Sequence, residues 1–205
     1  MMFGLGRRKK DPIALFWDWF LANSTAIERD ARAVTSSTPA SKLIIQDLGG
    51  RLAQVNPDMV HEIGVSSDGS VELVVSADGI RAAFPAVSAL VGAAPRLPAF
   101  KFTAFRPRVG SMGLRMYGRD VGFEQVRFRS FPEGDRLGLD LFIDVEATAD
   151  EIRGIGFILL DMALGEYDVG TGVGSIEFQA GAPDDARPLE NLAAEFDAFR
   201  AQTVH

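Results

Sequence analysis

The chain has 205 residues, 47% of them apolar and 24% charged, with a net charge of −7. That is enough chain to bury roughly 70% of the surface its unfolded form exposes, so a core can form without staples. The acidic balance disfavours general nucleic-acid binding, which needs clustered Lys and Arg to displace counterions, and the lack of cysteine excludes disulfides, thiolate nucleophiles, zinc ribbons and iron–sulfur clusters.

Of the two histidines, His205 is the last residue, so any Ser-His-Asp arrangement has to use His61. A metal would be held mainly by oxygen, as suits Mg, Ca or Mn; no metal or cofactor is expected. Arg7-Arg-Lys-Lys10 precedes the apolar Ile13–Ala22 in the manner of a secretory leader. Asp11, Asp18 and the two tryptophans argue against that, and the expected location is the cytoplasm. No apolar run approaches the ~20 residues needed to span a bilayer.

Residues 1–10 read as a basic flexible tail, and 11–205 as one domain. Asp11-Pro12 starts a helix whose Ile13, Phe16, Trp17 and Phe20 form one stripe, with Leu15 and Trp19 on a second face. Asn23 is expected to end it, and Thr25 with Glu28 to cap a second helix through Val34. Thr38-Pro39 restarts a helix carrying Ile44, Leu48, Leu52 and Val55 inward, bent at Gly49-Gly50 and stopped by Asn56-Pro57. Met59–Val65 and Val71–Ser76 flank a turn at Ser66–Gly69 and read as a hairpin. A helix runs to Ala94, restarted at Pro85, before strands at Phe100–Arg106 and Leu114–Tyr117. Val126 and Phe128 alternate with Gln125, Arg127 and Arg129, and Leu139, Leu141, Ile143 and Val145 with Asp140, Phe142, Asp144 and Glu146, giving a hairpin around Pro132–Asp135. Asp150–Leu164 is a helix capped by a left-handed Gly165, followed by a glycine-rich turn, a strand at Ser175–Ala180, a polar loop and a last helix from Pro188.

Strand runs that do not alternate strictly with helices imply an α+β fold. The expected sheet has about six to seven strands, largely antiparallel or mixed and twisted, packed against helices. On Phe16–Phe20, Ser76–Gly79, Ala94-Pro95, Ala104–Arg108 and Leu164–Asp168 the chain resembles a family of uncharacterised bacterial proteins, a domain of unknown function. The resemblance implies a bacterial origin and no activity.

Leu164–Phe178 concentrates Glu166, Tyr167, Asp168 and four glycines, and is the expected place for a site. A nucleotide fingerprint follows a strand and opens a helix; here the order is reversed, so the glycines read as a turn requiring positive φ. In an extended chain Glu166 and Asp168 would lie about 7 Å apart on one side, within reach of a shared cation. Arg106 and Arg108, ending a strand, can grip a carboxylate or meet those acids. Arg127 and Arg129 are expected to pair with Asp140 and Asp144 across the hairpin. The reading that follows is a non-enzymatic protein that binds itself or another protein through Leu15 and Trp19. The alternative is a small-molecule- or cation-binding protein or hydrolase using Glu166 and Asp168 with Arg106.

Overall fold

Residues 11–35, 44–179 and 181–203 are described by the computed structural model, and they form an α+β protein. The chain divides into two units, Met1–Ala104 and Phe105–His205. The boundary falls between Ala104 and Phe105.

The first unit is built around β2 (Val71–Ser76), which pairs antiparallel with β1 (Val60–Val65) and parallel with β3 (Phe100–Ala104). Alternation sets its inner face: Val71, Leu73 and Val75 are fully buried. The register places His61, Ile63, Phe100 and Phe102 on that same face. Against it lies α1 (Pro12–Thr35), whose Phe20 ring packs edge-on to Phe100 at 5.2 Å and Phe102 at 5.3 Å. Trp17 meets Phe102 at 4.8 Å, and its indole N–H donates to the Leu90 carbonyl on α3 (Phe84–Gly92) at 2.9 Å. A short 3-10 turn and α2 (Leu48–Ala53) add Ile45, Leu48 and Leu52 to the core.

Two expectations are corrected here. The first helix does not stop at Asn23 but runs unbroken to Thr35. The Asn23 amide donates to the Trp19 carbonyl and the Ser24 hydroxyl to the Leu21 carbonyl, so these residues bond back into the helix, and the second helix expected to be capped by Thr25 and Glu28 is its continuation. The helix expected around Gly49-Gly50 begins as a 3-10 turn at Ile44 and becomes α-helical only at Leu48. Its expected start at Thr38-Pro39 lies outside the described residues.

The second unit carries a two-stranded ribbon, β4 (Leu114–Met116) with β5 (Arg119–Val121). It also has a four-stranded sheet in the order β8-β7-β6-β9: β6 Val126–Glu133, β7 Arg136–Ile143, β8 Val173–Gln179 and β9 Arg187–Pro188. The expected hairpin is present, with Phe128 opposite Leu141 and Glu133 opposite Arg136. Phe128, Leu139 and Leu141 bury one face together with Ile155, Leu159 and Leu160 of α4 (Ala149–Leu164) and Leu192 and Phe196 of α6 (Leu192–Thr203). A Thr148–Glu151 capping box opens α4. Among the described residues, nine strands in three sheets thus replace the expected six or seven in one; β5 and β9 have three and two residues, too few for a period to register. Arg129 faces Asp140 in register, but its guanidinium bonds Asp185 instead.

The glycine-rich segment is the largest departure. Glu166–Gly172 is a helix, α5, and neither Gly172 nor Gly174 has a positive φ. These glycines supply room rather than backbone freedom. A Cβ on Gly172 would stand 2.5 Å from the Phe196 ring, which is 1% exposed and has nowhere to retreat. Gly172→Ala is therefore expected to destabilise by about 1–3 kcal/mol through overpacking. In urea unfolding, the loss should shrink when Phe196 is also trimmed to Leu. Equal stability of Gly172→Ala and the wild type would refute the close packing.

Candidate functional site

The residues singled out from the sequence converge, but on one another. After β3 the chain runs as a strap, residues 105–110, along the C-terminal end of α4. The last carbonyls of a helix lack partners within it, and the strap provides them. Val109 and Gly110 N–H donate to the Met162 carbonyl at 3.0 and 3.1 Å, and the Arg108 Nε to Leu164 at 3.3 Å. Gly165, with φ 85° and ψ 141°, turns the chain from α4 into α5. Its φ is positive as expected, but its ψ is extended rather than left-handed helical.

Glu166 is 1% exposed. Its carboxylate accepts from the Arg106 N–H at 3.0 Å, while its own N–H donates to the Arg106 carbonyl at 3.0 Å. The Arg106 guanidinium meets the buried Asp161 at 3.4 Å. Arg108 reaches out instead, donating to both Asp197 carboxylate oxygens at 2.9 and 3.0 Å and lying 3.6 Å from Asp168. That two-point hydrogen bond holds the Asp197 carboxyl below its ordinary pKa. Tyr167 is half exposed and packs its ring 5.2 Å from Phe105, a residue held at φ 66°.

Glu166 and Asp168 do not share a side. On a helix, residues two apart point about 200° away from each other, so one acid is buried under the strap and the other lies at the surface. The extended geometry assumed for a shared cation is absent. Among the described residues, no three Asp, Glu or His side chains are grouped as metal ligands. The convergence of arginines and acids serves first as a helix cap that pins the strap, with Arg106 and Arg108 placed where the helix dipole favours cations.

One polar cluster went unread in the sequence. On the outer face of the first unit's sheet, Glu72 accepts from Thr103, from Ser66 at 3.0 Å and from Lys101 at 2.9 Å. Burial pushes its carboxyl up, but the bonds from Thr103, Lys101 and Ser66 outweigh it and leave the pKa below the ordinary value. Its stabilising contribution is thus present at neutral pH and fades as pH falls through the lowered pKa. The alternation of Glu72 with Val71 and Leu73, and of Lys101 and Thr103 with Phe100 and Phe102, was the signal available. A shallow groove of about 350 Å³ lies beside it, lined by Ile63, Gly64 and Val74 among others.

His61 sits half-buried on the opposite, inner face beside Gly49. Burial lowers its pKa against the opposing influence of Glu62. The Ser66 hydroxyl is directed to Glu72, and the Ser76 hydroxyl accepts from the Asp78 N–H. No serine–histidine couple is formed by these residues.

The two residues expected to form an interface differ. Trp19 is half-buried, with the Arg51 guanidinium 5.1 Å over its ring and Phe16 and Phe20 at its edges. Leu15 is 42% exposed, and Leu21, which the sequence reading passed over, is 45% exposed. Ala14, Asp18, Ala22 and Thr25 complete the outward side of α1. Among the described residues, no helix is long and apolar enough to cross a membrane. No protein-family model, curated protein or solved structure matches the chain.

Proposed function

We propose that this protein acts by binding another polypeptide rather than by catalysis, and that the outer side of α1 is the binding surface. The observation that carries the reading is the exposure of Leu15 and Leu21, which flank the outward strip of Asp11, Ala14, Asp18, Ala22 and Thr25 on α1. One side of α1 already supplies the core, while Leu15 and Leu21 leave 42% and 45% of their surface exposed. The competing reading places a ligand, a divalent cation or hydrolytic chemistry at Glu166 and Asp168 with Arg106. It draws less support, because the polar atoms of Arg106, Arg108 and Glu166 already bond Asp161, Asp197, Asp168 and the strap backbone.

A photoreactive residue at Ala22, in the middle of that surface, tests the proposal in cells. Protein adducts should form there, should fall at least about tenfold when Leu15 and Leu21 are both changed to Asp, and should not form from exposed Ser88 on α3. Adduct yields at Ala22 no higher than at Ser88 would refute it.

A further inference from the structure

In the first unit's sheet β1 stands at the end of the order β1-β2-β3. The bonds around it fix which of its backbone groups face outward. Ser66 N–H donates to the Ser70 carbonyl across the turn, while Val71 N–H donates to the Ala99 carbonyl on the β3 side. Bonding alternates along an antiparallel ladder, so Val60, Glu62 and Gly64 carry the bonds to β2. The N–H and C=O groups of His61, Ile63 and Val65 point the other way, and among the described residues nothing bonds them. Sheet edges are ordinarily blunted by Lys, Pro, bulges or shortness. Accordingly, β9 has two residues, one of them Pro188, and β3 carries Lys101. β1 has six residues in unbroken register, with no Pro, Lys or Arg and a single charge, Glu62.

We infer that this edge pairs with the same edge of a second copy of the chain. The two β1 strands run antiparallel about a two-fold axis at Ile63, joining the two sheets into one. In this register Ile63 faces the other copy's Ile63, and His61 faces Val65 in both directions. Each pair exchanges two hydrogen bonds, so every outward N–H and C=O of β1 is satisfied. The side chains choose the same register. Glu62 comes opposite Gly64, where nothing lies within 4 Å of an added Cβ and a shallow groove of about 350 Å³ runs along residues 62–66. An axis at Glu62 would set Glu62 against Glu62, and like charges directly opposite each other repel. An axis at Gly64 would leave His61 without a strand partner. Glu72, beyond Gly64 on β2, lies two strand spacings, roughly 9.6 Å, from the incoming Glu62. Its charge is already met by Lys101 at 2.9 Å.

This pairing goes beyond the α1 reading and does not depend on it. An unpaired β1 is a template for uncontrolled strand addition, whereas an isologous pair uses the edge up and closes on itself. One strand pair buries less than the ~1,200 Å² of a standard specific interface, so the dissociation constant is expected to be on the order of 100 µM.

Sedimentation equilibrium of the full chain should show a reversible monomer–dimer transition between about 10 µM and about 1 mM. Over that range the amides of His61, Ile63 and Val65 should gain at least about threefold protection from hydrogen exchange. Those of Glu62 and Gly64, already bonded to β2, should change little. Gly64→Glu sets a carboxylate against Glu62, and Val65→Pro removes an outward N–H but no bond to β2. Each should weaken the dimer at least about tenfold with an unchanged circular dichroism spectrum. The chain has no cysteine, so introduced thiols report the register. Glu62→Cys mixed with Gly64→Cys should form a disulfide, the facing Cα atoms lying about 4.5 Å apart. Glu62→Cys alone, roughly 8 Å from its own copy, should not. A chain monomeric to about 1 mM, a dimer indifferent to both Gly64→Glu and Val65→Pro, or Glu62→Cys linking to itself as readily as to Gly64→Cys would each overturn the inference. Protection of the three amides by a co-purifying polypeptide, with the chain itself monomeric, would give the edge to a different strand and overturn self-pairing. Leu21→Asp should leave the dimer unchanged; a dimer abolished by it would place the contact on α1 and overturn the inference as well.

Discussion

Replacing Glu166 with alanine is expected to lower the unfolding free energy by about 3 kcal/mol. The side chain is 1% exposed and accepts the Arg106 N–H at 3.0 Å, and a hydrogen bond to a charged group contributes about 1.5–3 kcal/mol, with a further cost for the space left behind. Glu166→Gln keeps the shape and one acceptor oxygen, so its loss should be smaller, about 1–2 kcal/mol. Urea unfolding of both variants separates scaffold from site. An acid that holds the strap to α5 destabilises when removed. An acid kept buried for binding or chemistry at the expense of stability leaves the protein more stable when it is replaced. A higher urea midpoint for Glu166→Ala would refute the scaffold account and revive the ligand reading.

Gly165→Ala should cost a comparable amount, about 2–3 kcal/mol, for a different reason. With φ 85° and ψ 141° the residue occupies backbone space nearly closed to L side chains. An added Cβ would also press to 3.3 Å from the Arg108 nitrogen, a backbone atom that cannot swing aside. The matched control is Gly50→Ala in α2, where nothing lies within 4 Å of an added Cβ and φ is not positive. There, alanine should stabilise by up to about 1 kcal/mol, since glycine is the poorer helix former. Opposite signs for the two substitutions in the same denaturation assay are the expected result. A neutral Gly165→Ala would mean that the strap and the α4–α5 corner adjust freely, and the account of the corner as a fixed brace would fail.

These two substitutions bear on the segment where sequence reasoning went furthest astray. Leu164–Phe178 read as a loop because four glycines in a short stretch weaken helix and strand alike. It folds as α5 because burial of Glu166 and Val169 outweighs local propensity, and because Phe196 comes close enough that only glycine fits at position 172. Phe196 is far along the chain, so no local pattern announces that contact. The approach of Arg108 to Asp168 was legible as complementary charge. That Arg106 and Arg108 cap a helix end, with Glu166 accepting from the Arg106 backbone N–H, was not.

What the linear order of residues settled was everything governed by period and local chemistry. The β1–β2 hairpin, the β6–β7 hairpin, the α4 span with its acidic first turn, and the buried stripe of α1 all follow from alternation, helical spacing and turn residues, and so does the α+β class. Only the tertiary structure decided the continuity of α1 through Asn23, the parallel pairing of β2 with β3 and of β7 with β8, the division into three sheets, and which of the acids and arginines touch. Those outcomes depend on contacts between residues distant in the chain, whose energies exceed the tenths of a kcal/mol carried by local preference.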